Sequence, residues 1–437
     1  MNRRLRLLAV LLGFALVAAA CGDDSSETTS GPAATTTTTV AATTTTAAPA
    51  TTTTTEPAPT TDGVLKIGYV LPQTGALAVI ADALIKPLEM GVEEITAAGG
   101  QVELLPGDSG TDPAVAGVTV DQHLNDDVDA IIGPAATGVS LSVIDKITGS
   151  QVPMCSPSNT GAVFTSYDDG GYYFRTAPPD NLQGEALAEV ITEDGRSSVA
   201  ILYRNDEYGA GLNDALAKFL GDSGVTVAAE IAYAVDATSF DAEVAGVVAA
   251  GVDAAVLITF GEGVQLTQAM IEAGVGPADI AIYGADGYRD NVTPELVDPD
   301  DPAVMDGVKD MAPSVAPPGG EPTFGERFAA FAPDAPTVFS AHTFDCLISL
   351  VLASEVAGTD DPVAIQAALN DVTRGGTKCA TYAECTALVA AGEDIDYDGA
   401  SGALDFVDAG EPAVGVYNVF LFDESGESTN VDEKIIG

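Results

Sequence analysis

Residues 128–161 read VDAIIGPAATGVSLSVIDKITGSQVPMCSPSNTG. The apolar run Val128–Ile132 meets a small, uncharged turn, GPAATG (133–138), and a helical pattern follows to Gly149. A second apolar run, QVPMC (151–155), then meets a second turn, SPSNTG (156–161), again built of small residues and hydroxyls. Strand, helix and strand in that order describe a βαβ unit with parallel strands. Unbroken Val/Ile/Ala runs, in place of strict alternation, suit strands covered on both faces. Both turns then stand at strand ends, and the first also opens a helix.

The same rhythm extends outward. Runs 64–71 (VLKIGYVL) and 102–108 (VELLPGD) read as strands, with helical patterns over 80–100 and 113–126. The first of these helices stops at Gly99-Gly100, a frequent helix end. After GYYFRTAPPD (171–180) the alternation restarts. Strands at 197–204, 225–233, 253–260 and 279–286 are separated by helical stretches at 209–224, 239–251 and 263–275. The last third is more helical (322–331, 339–358, 362–372) and closes on two strand-like runs, 402–408 and 414–423. The expected fold is α/β, two doubly wound parallel-sheet lobes that join near Arg175–Pro179. Helices late in the chain finish covering an earlier sheet, so the join is expected to be a hinge of several segments. Such folds bind ligands at strand carboxyl ends, in the cleft between lobes.

The chain has 437 residues, enough for two domains with a large core. Residues 1–20 stand apart from it: a basic start (MNRRLRLL) and the apolar run LAVLLGFALVAAA have the anatomy of a secretory signal. The run ends at Cys21 in the pattern of a bacterial lipobox, so Cys21 is the expected lipidation site, with the lipid tethering the protein to the outer face of the cell membrane. Residues 21–62 are mostly Thr, Ala and Pro without hydrophobic periodicity and are expected to form a disordered stalk. Loss of Arg3, Arg4 and Arg6 with the signal leaves 13 basic against 65 acidic residues, a formal charge of −52. That balance argues against nucleic acid as a partner and against direct docking on anionic lipid. Four further cysteines, Cys155, Cys346, Cys379 and Cys385, suit an oxidising compartment. Cys379 and Cys385 flank the short loop CATYAEC and pair readily. Cys155 and Cys346 are left to each other, or remain buried thiols.

Catalytic signatures are weak. GDSG occurs at 107–110 and 221–224, but in an α/β rhythm and with only His123 and His342 in the chain. A hydrolase using Ser109 or Ser223 stays a minor alternative, and His123 reads as a surface residue of a helix. No GxSxG, HExxH, GxxxxGK, GxGxxG or CxxC is present, so no metal and no cofactor are expected. The two turns themselves suggest a ligand. Free N–H groups at a helix start bind an anion, and Thr137, Ser158 and Thr160 add uncharged donors. A phosphate would recruit Lys or Arg, absent from both turns, so a carboxylate fits better. If the ligand is a zwitterion, Asp286 of YGADGY and Tyr208 of RNDEYGAG are candidates to face its ammonium.

The segments KIGYVLPQTGALA, AAGG, IIGPAATG, PMCSPSNTG, YFRTAPPDNLQG, YRNDEYGAG, EAGV and YGADGY occur in an order that resembles the extracytoplasmic binding proteins of branched-chain amino acid ABC transporters, the leucine/isoleucine/valine-binding type. The resemblance spans about residues 64–425. It implies the type I periplasmic-binding fold, with lobe 1 at 63–176 and 308–400, lobe 2 at 177–307 and 401–437, and a three-segment hinge. It implies that Thr137 binds the ligand carboxylate and that Ser158 offers its backbone carbonyl to the ammonium. Thr160 then touches both ends of the head group, Tyr208 closes over the ligand, and Asp286 pairs with the ammonium. Phe260 or Glu262 lines the side-chain pocket. Two departures stand out: Ala136-Thr137 replaces paired serines, and Asp286 is one methylene shorter than the usual glutamate.

The expectation is a monomeric, lipid-anchored binding protein without catalysis, taking an aliphatic amino acid to an ABC permease. The main alternative is a sensor of amides, urea or another metabolite on the same fold.

Overall fold

Both apolar runs of the opening stretch form strands of one parallel sheet, and the turns after them lie side by side at its carboxyl edge. The computed structural model describes residues 63–314 and 323–437. Cys21, the signal segment and the stalk at 21–62 lie outside the described residues.

The first lobe contains β1 (Leu65–Tyr69), α1 (Ala81–Ala97), β2 (Val102–Leu105), α2 (Pro113–Asn125), β3 (Ala130–Ile132), α3 (Thr137–Gly149), β4 (Met154–Ser156) and β5 (Tyr173–Arg175). Its five strands run parallel in the order β2-β1-β3-β4-β5. The second lobe opens with α4 (Asp180–Glu193), β6 (Ser198–Arg204), α5 (Glu207–Asp222), β7 (Thr226–Tyr233), α6 (Asp241–Ala250), β8 (Ala254–Ile258), α7 (Gly263–Glu272), β9 (Ala281–Gly284), α8 (Pro294–Val297) and β10 (Lys309–Pro313). The chain then returns to the first lobe as α9 (Phe324–Phe331), α10 (Ser340–Ala357), α11 (Pro362–Leu369), β11 (Thr377–Cys379), α12 (Tyr382–Ala390), β12 (Ile395–Gly399) and β13 (Gly402–Ala403). It ends in the second lobe with β14 (Gly415–Phe422) and β15 (Ser428–Ile436). The second sheet has the order β15-β14-β10-β9-β8-β6-β7, parallel except at β14 and β15.

The chain therefore passes between the large sheets after β5, after β10 and before β14. The lobe boundary expected at 307/308 needs correction, because β10 pairs with β9 and β14 in the second sheet. The boundary at 400/401 likewise cuts the β12–β13 hairpin. Both short strands are weak signals: β10 reads KDMAP, with charge at one end and proline at the other. The expected strand over 402–408 shrinks to Gly402–Ala403, and β15 lacks any apolar run. Its exposed Asp432 and Glu433 instead suit a sheet edge, where charge discourages pairing with other chains.

Helix α10 is the spine of the first lobe, with 14 of its 18 residues buried. It passes the length and hydropathy test for a membrane span, but burial on all sides makes it a core helix. A disulfide from Cys155 of β4 to Cys346 of α10 ties it to the sheet, with Cα atoms 5.7 Å apart. A second disulfide joins Cys379 at the end of β11 to Cys385. The segment between them is more than a loop, since α12 starts at Tyr382 with Thr381 accepting from the Glu384 N–H.

A binding cleft between the two lobes

Parallel strands deliver their carboxyl ends to one edge of each sheet, and a cavity lies between those edges. The first-lobe wall comes from the two turns. Gly133–Pro134 is a cis peptide, and Ala136 precedes α3 without a side chain able to cap it. Elsewhere Asp112 caps α2 and Asp206 caps α5. The opening N–H groups of α3 are thus left without a side-chain cap, beside a cavity that Ala136 and Thr137 line. The turns are locked together: Ser158 Oγ and Asn159 Nδ2 both donate to the Ala135 carbonyl, at 3.2 and 2.6 Å. Ser156 and Ser140 hydroxyls donate to the Pro134 carbonyl at 2.8 and 3.0 Å. Gly161 permits this approach, because a Cβ there would sit 2.6 Å from Thr137 Cγ2. Thr137, Ser158 and Thr160 all line the cavity, and Thr160 is buried.

The second-lobe wall follows β6, β8 and β9. Tyr208 lies in the first turn of α5 and donates from its hydroxyl to Asp286 Oδ1 at 2.6 Å. The same hydroxyl accepts from the Gly287 N–H at 3.2 Å. A Cβ on Gly287 would lie 2.5 Å from the Thr259 carbonyl and 2.9 Å from the Tyr208 oxygen, so the Asp286 turn needs glycine to close on its neighbours. The Tyr208 and Phe260 rings stack with centroids 5.3 Å apart. Arg204 packs its guanidinium 3.8 Å from the Phe260 ring centroid, from where it reaches Asp206 and Glu262. Of the alternatives Phe260 and Glu262, only Phe260 lines the cavity. Glu262 turns away to Arg204, to the Tyr233 hydroxyl and to the Phe260 N–H.

The sequence reading missed several wall residues. Leu77 and Ile80, after β1, add apolar surface, and Phe339 contributes from the start of α10. Phe339 has φ of 59°, an uncommon left-handed conformation for a bulky residue. Across from it, Asp290 Oδ2 accepts from the Thr337 and Val338 N–H groups at 3.1 Å each, joining the loop after β9 to the start of α10. No local pattern marks these residues, since each acquires its place from what lies opposite. The space open to the centre of a water-sized sphere is about 20 Å³, room for about one water. A larger solute enters only if the lobes part.

Electrostatics divides the walls. None of the cavity-lining residues is basic, and the acid is Asp286. Burial raises the Asp286 carboxyl, while the Tyr208 hydroxyl and the Gly287 N–H draw it down. Burial and then the charge of Asp286 push the Tyr208 phenol well above its ordinary value, so it stays a donor. Among the described residues no cluster of three or more His, Cys, Asp or Glu suits a metal ion.

The hydrolase alternative gains no geometry. Ser109 Oγ accepts from the Thr111 N–H, and Ser223 is exposed at the end of α5. His123 is buried, contrary to its expected surface position, with Nε2 3.0 Å from the Tyr69 carbonyl. Glycines at 68 and 107 make room for its ring beneath the sheet. Burial lowers His342 to about 3, so it is neutral at ordinary pH.

The comparisons with known proteins agree with this architecture. The periplasmic binding protein family matches residues 64–420. The chemotactic signal transduction system substrate-binding protein BasB of Halobacterium salinarum is 25% identical over 385 residues, covering 80% of this chain and 85% of that one. Leu/Ile/Val-binding protein homolog 2 of Brucella abortus is 27% identical over 321 residues, 70% of this chain and 82% of that one. Among solved structures, the branched-chain amino acid transporter substrate binding protein LivJ of Streptococcus pneumoniae, in complex with isoleucine, superposes with a TM-score of 0.69 at 19% identity, covering 85% of this chain and 99% of that one. An ABC transporter solute binding protein from R. palustris, in complex with benzoate, gives 0.69 at 18%, covering 85% and 96%. The chain belongs to the periplasmic binding protein family and has the two-lobed type I fold of its leucine/isoleucine/valine-binding members.

Proposed function

We propose that this protein is the extracytoplasmic solute-binding component of an ABC transporter, anchored by lipid at Cys21, and that it captures an aliphatic amino acid between its lobes. One observation carries the reading: two walls of unlike chemistry face each other across a cavity without a basic residue. Uncharged hydroxyls and the uncapped start of α3 suit a carboxylate. Asp286, fixed by the Tyr208 hydroxyl, suits an ammonium across from it. Leu77, Ile80, Phe260 and Phe339 supply apolar surface for a side chain.

In this reading Thr137 and Thr160 hold the carboxylate, with the Ser158 carbonyl and Asp286 on the ammonium. Tyr208 and Phe260 bring the second lobe down as the lids of the site. Closure needs a ligand that prefers the closed state, and one touching both walls has that preference. The closed monomer then docks on a membrane permease. It performs no catalysis and needs no cofactor or metal. The test is thermal unfolding of the chain from Asp62 onward against the twenty amino acids, small amides, urea and benzoate. Leucine, isoleucine or valine raises the midpoint by mass action. A shift by benzoate or urea alone overturns the zwitterion site while leaving the fold.

A second reading, sensing in place of transport, draws on the likeness to a chemotactic substrate-binding protein. Uptake of the stabilising ligand by cells lacking this protein separates the two: transport requires it, sensing leaves uptake intact.

A further inference from the structure

A second cavity lies at the hinge and shares no lining residue with the cleft. Thr176 and Pro178 of the first crossing border it, and so do Pro412, Val414 and Val416, on the third crossing and the start of β14. The first lobe adds His342 of α10 and residues 401–405 around β13. The space open to the centre of a water-sized sphere is about 180 Å³ here, against about 20 Å³ in the cleft. A molecule the size of benzene fits such a volume.

The lining is mostly aliphatic, from Pro178, Leu404, Pro412, Val414 and Val416, and its hydroxyls are already engaged. Thr176 donates from Oγ1 to the His342 carbonyl at 2.8 Å, and Ser401 from Oγ to Asp345 Oδ2 at 2.6 Å. The His342 imidazole is the exception. It is buried and neutral at ordinary pH, and its Nδ1 has no hydrogen-bond partner among the described residues. An imidazole left unpaired in an apolar place is costly, so a ligand group that meets it is well rewarded. A hydroxyl suits it under either tautomer, donating to the bare nitrogen or accepting from the protonated one. An anion does not suit the cavity, since no Lys or Arg lines it and Asp405 is exposed at its mouth.

Walls from both lobes make the shape of this cavity depend on the angle between them. His342 also connects it to the cleft. Its ring meets that of Phe339 edge-on, with centroids 5.8 Å apart and planes at 70°, and Phe339, one turn before it, lines the cleft. We propose that the hinge cavity is a second ligand site, for a neutral molecule of about benzene's size carrying one hydroxyl, and that its occupancy favours the closed lobes. The body of the ligand lies among the aliphatic residues and its hydroxyl meets the His342 imidazole. The cavity has this shape while the cleft is shut, so a molecule that fills it stabilises the shut arrangement and tightens binding between the lobes. By linkage, a cleft ligand tightens the hinge site by the same factor. The hinge site is independent of the amino-acid reading, which enters only through the choice of leucine as cleft ligand.

The test is calorimetry of phenol on the full chain, with and without leucine. Phenol is expected to bind with a Kd of about 1 mM, ordinary for so small a ligand. His342→Phe keeps a ring against Phe339 while deleting the imidazole, and should weaken phenol by about five- to tenfold. Val414→Trp crowds the mouth at an exposed position, with little risk to folding, and should abolish phenol binding. At saturating phenol, leucine should bind the wild-type chain about fivefold tighter or more, and Val414→Trp no tighter than without phenol. Absence of phenol binding by the wild-type chain overturns the site. So does phenol that binds alike to the wild type and both variants, or that excludes leucine and therefore lies in the cleft. A leucine affinity unmoved by bound phenol overturns the coupling and leaves the site. If leucine itself gives no binding heat, the amino-acid reading falls, and phenol with the two variants decides the hinge site. Should His342→Phe not fold, Val414→Trp decides alone.

Discussion

The two walls of the cleft are the same kind of edge, the carboxyl ends of a parallel sheet, yet they carry opposite equipment. The first-lobe wall is made of turns whose side chains are spent on one another, with Ser156, Ser158 and Asn159 all holding the backbone of the GPAATG turn. It has no charge of its own and offers dipoles and hydroxyls. The second-lobe wall concentrates a charge, Asp286, within an aromatic frame of Tyr208 and Phe260 that Arg204 braces from behind. A rigid, neutral wall reads the negative end of a ligand without needing a counter-ion. The wall carrying buried charge must be completed by something positive. That division makes the walls separable by mutation.

The largest effect is expected from Asp286→Ala. It removes the charge opposite the ammonium and should weaken leucine binding by about 2–4 kcal/mol, some 30–1,000-fold. The same substitution should leave 4-methylpentanoate, leucine without its amine, no weaker than before. Calorimetry with both ligands checks the division, and equal losses would break it. Thr137→Val comes next, keeping shape while deleting one hydroxyl. It should cost about 1.5 kcal/mol, near tenfold, for leucine and its amine-free analogue alike. A loss confined to leucine would move Thr137 from the carboxylate to the ammonium. Smallest is Tyr208→Phe. Phe260 keeps its stacking partner and Asp286 loses one donor, so the expected cost is about 1 kcal/mol, roughly fivefold, for the amino acid. Little change there would mean that the remaining donors, the Gly287 N–H and the Gln183 amide, suffice to fix Asp286.

Much of the site was legible because its signals are local. GPAATG and SPSNTG are recognisable as turns at strand ends from the runs before them, which is why Thr137, Ser158 and Thr160 could be named together. Tyr208 and Asp286 followed from small-residue turns after apolar runs in the second half. Phe260 could not be separated from Glu262, because the choice depends on Arg204 drawing Glu262 aside. Leu77, Ile80 and Phe339 were missed for a related reason. Their runs look like any core segment until the opposite wall is in place. His123 was misread because α2 is only weakly amphipathic, and glycines on neighbouring strands, rather than its own helix, make its ring space.

Periodicity and turn chemistry act over a few residues, so the chain alone determined the α/β class, the restart after Arg175 and the strand ends from which the cleft is built. Which groups lose their water is decided by residues far apart in sequence. Tyr208 and Asp286 are 78 positions apart and become a buried, hydrogen-bonded pair only where α5 meets the turn after β9. Cys155 finds Cys346 across 191 positions only because α10 returns to the first sheet. β15 is a strand only because β14 is beside it. Desolvation and pairing across lobes are properties of the assembled fold, and the charge balance of the cleft follows from them.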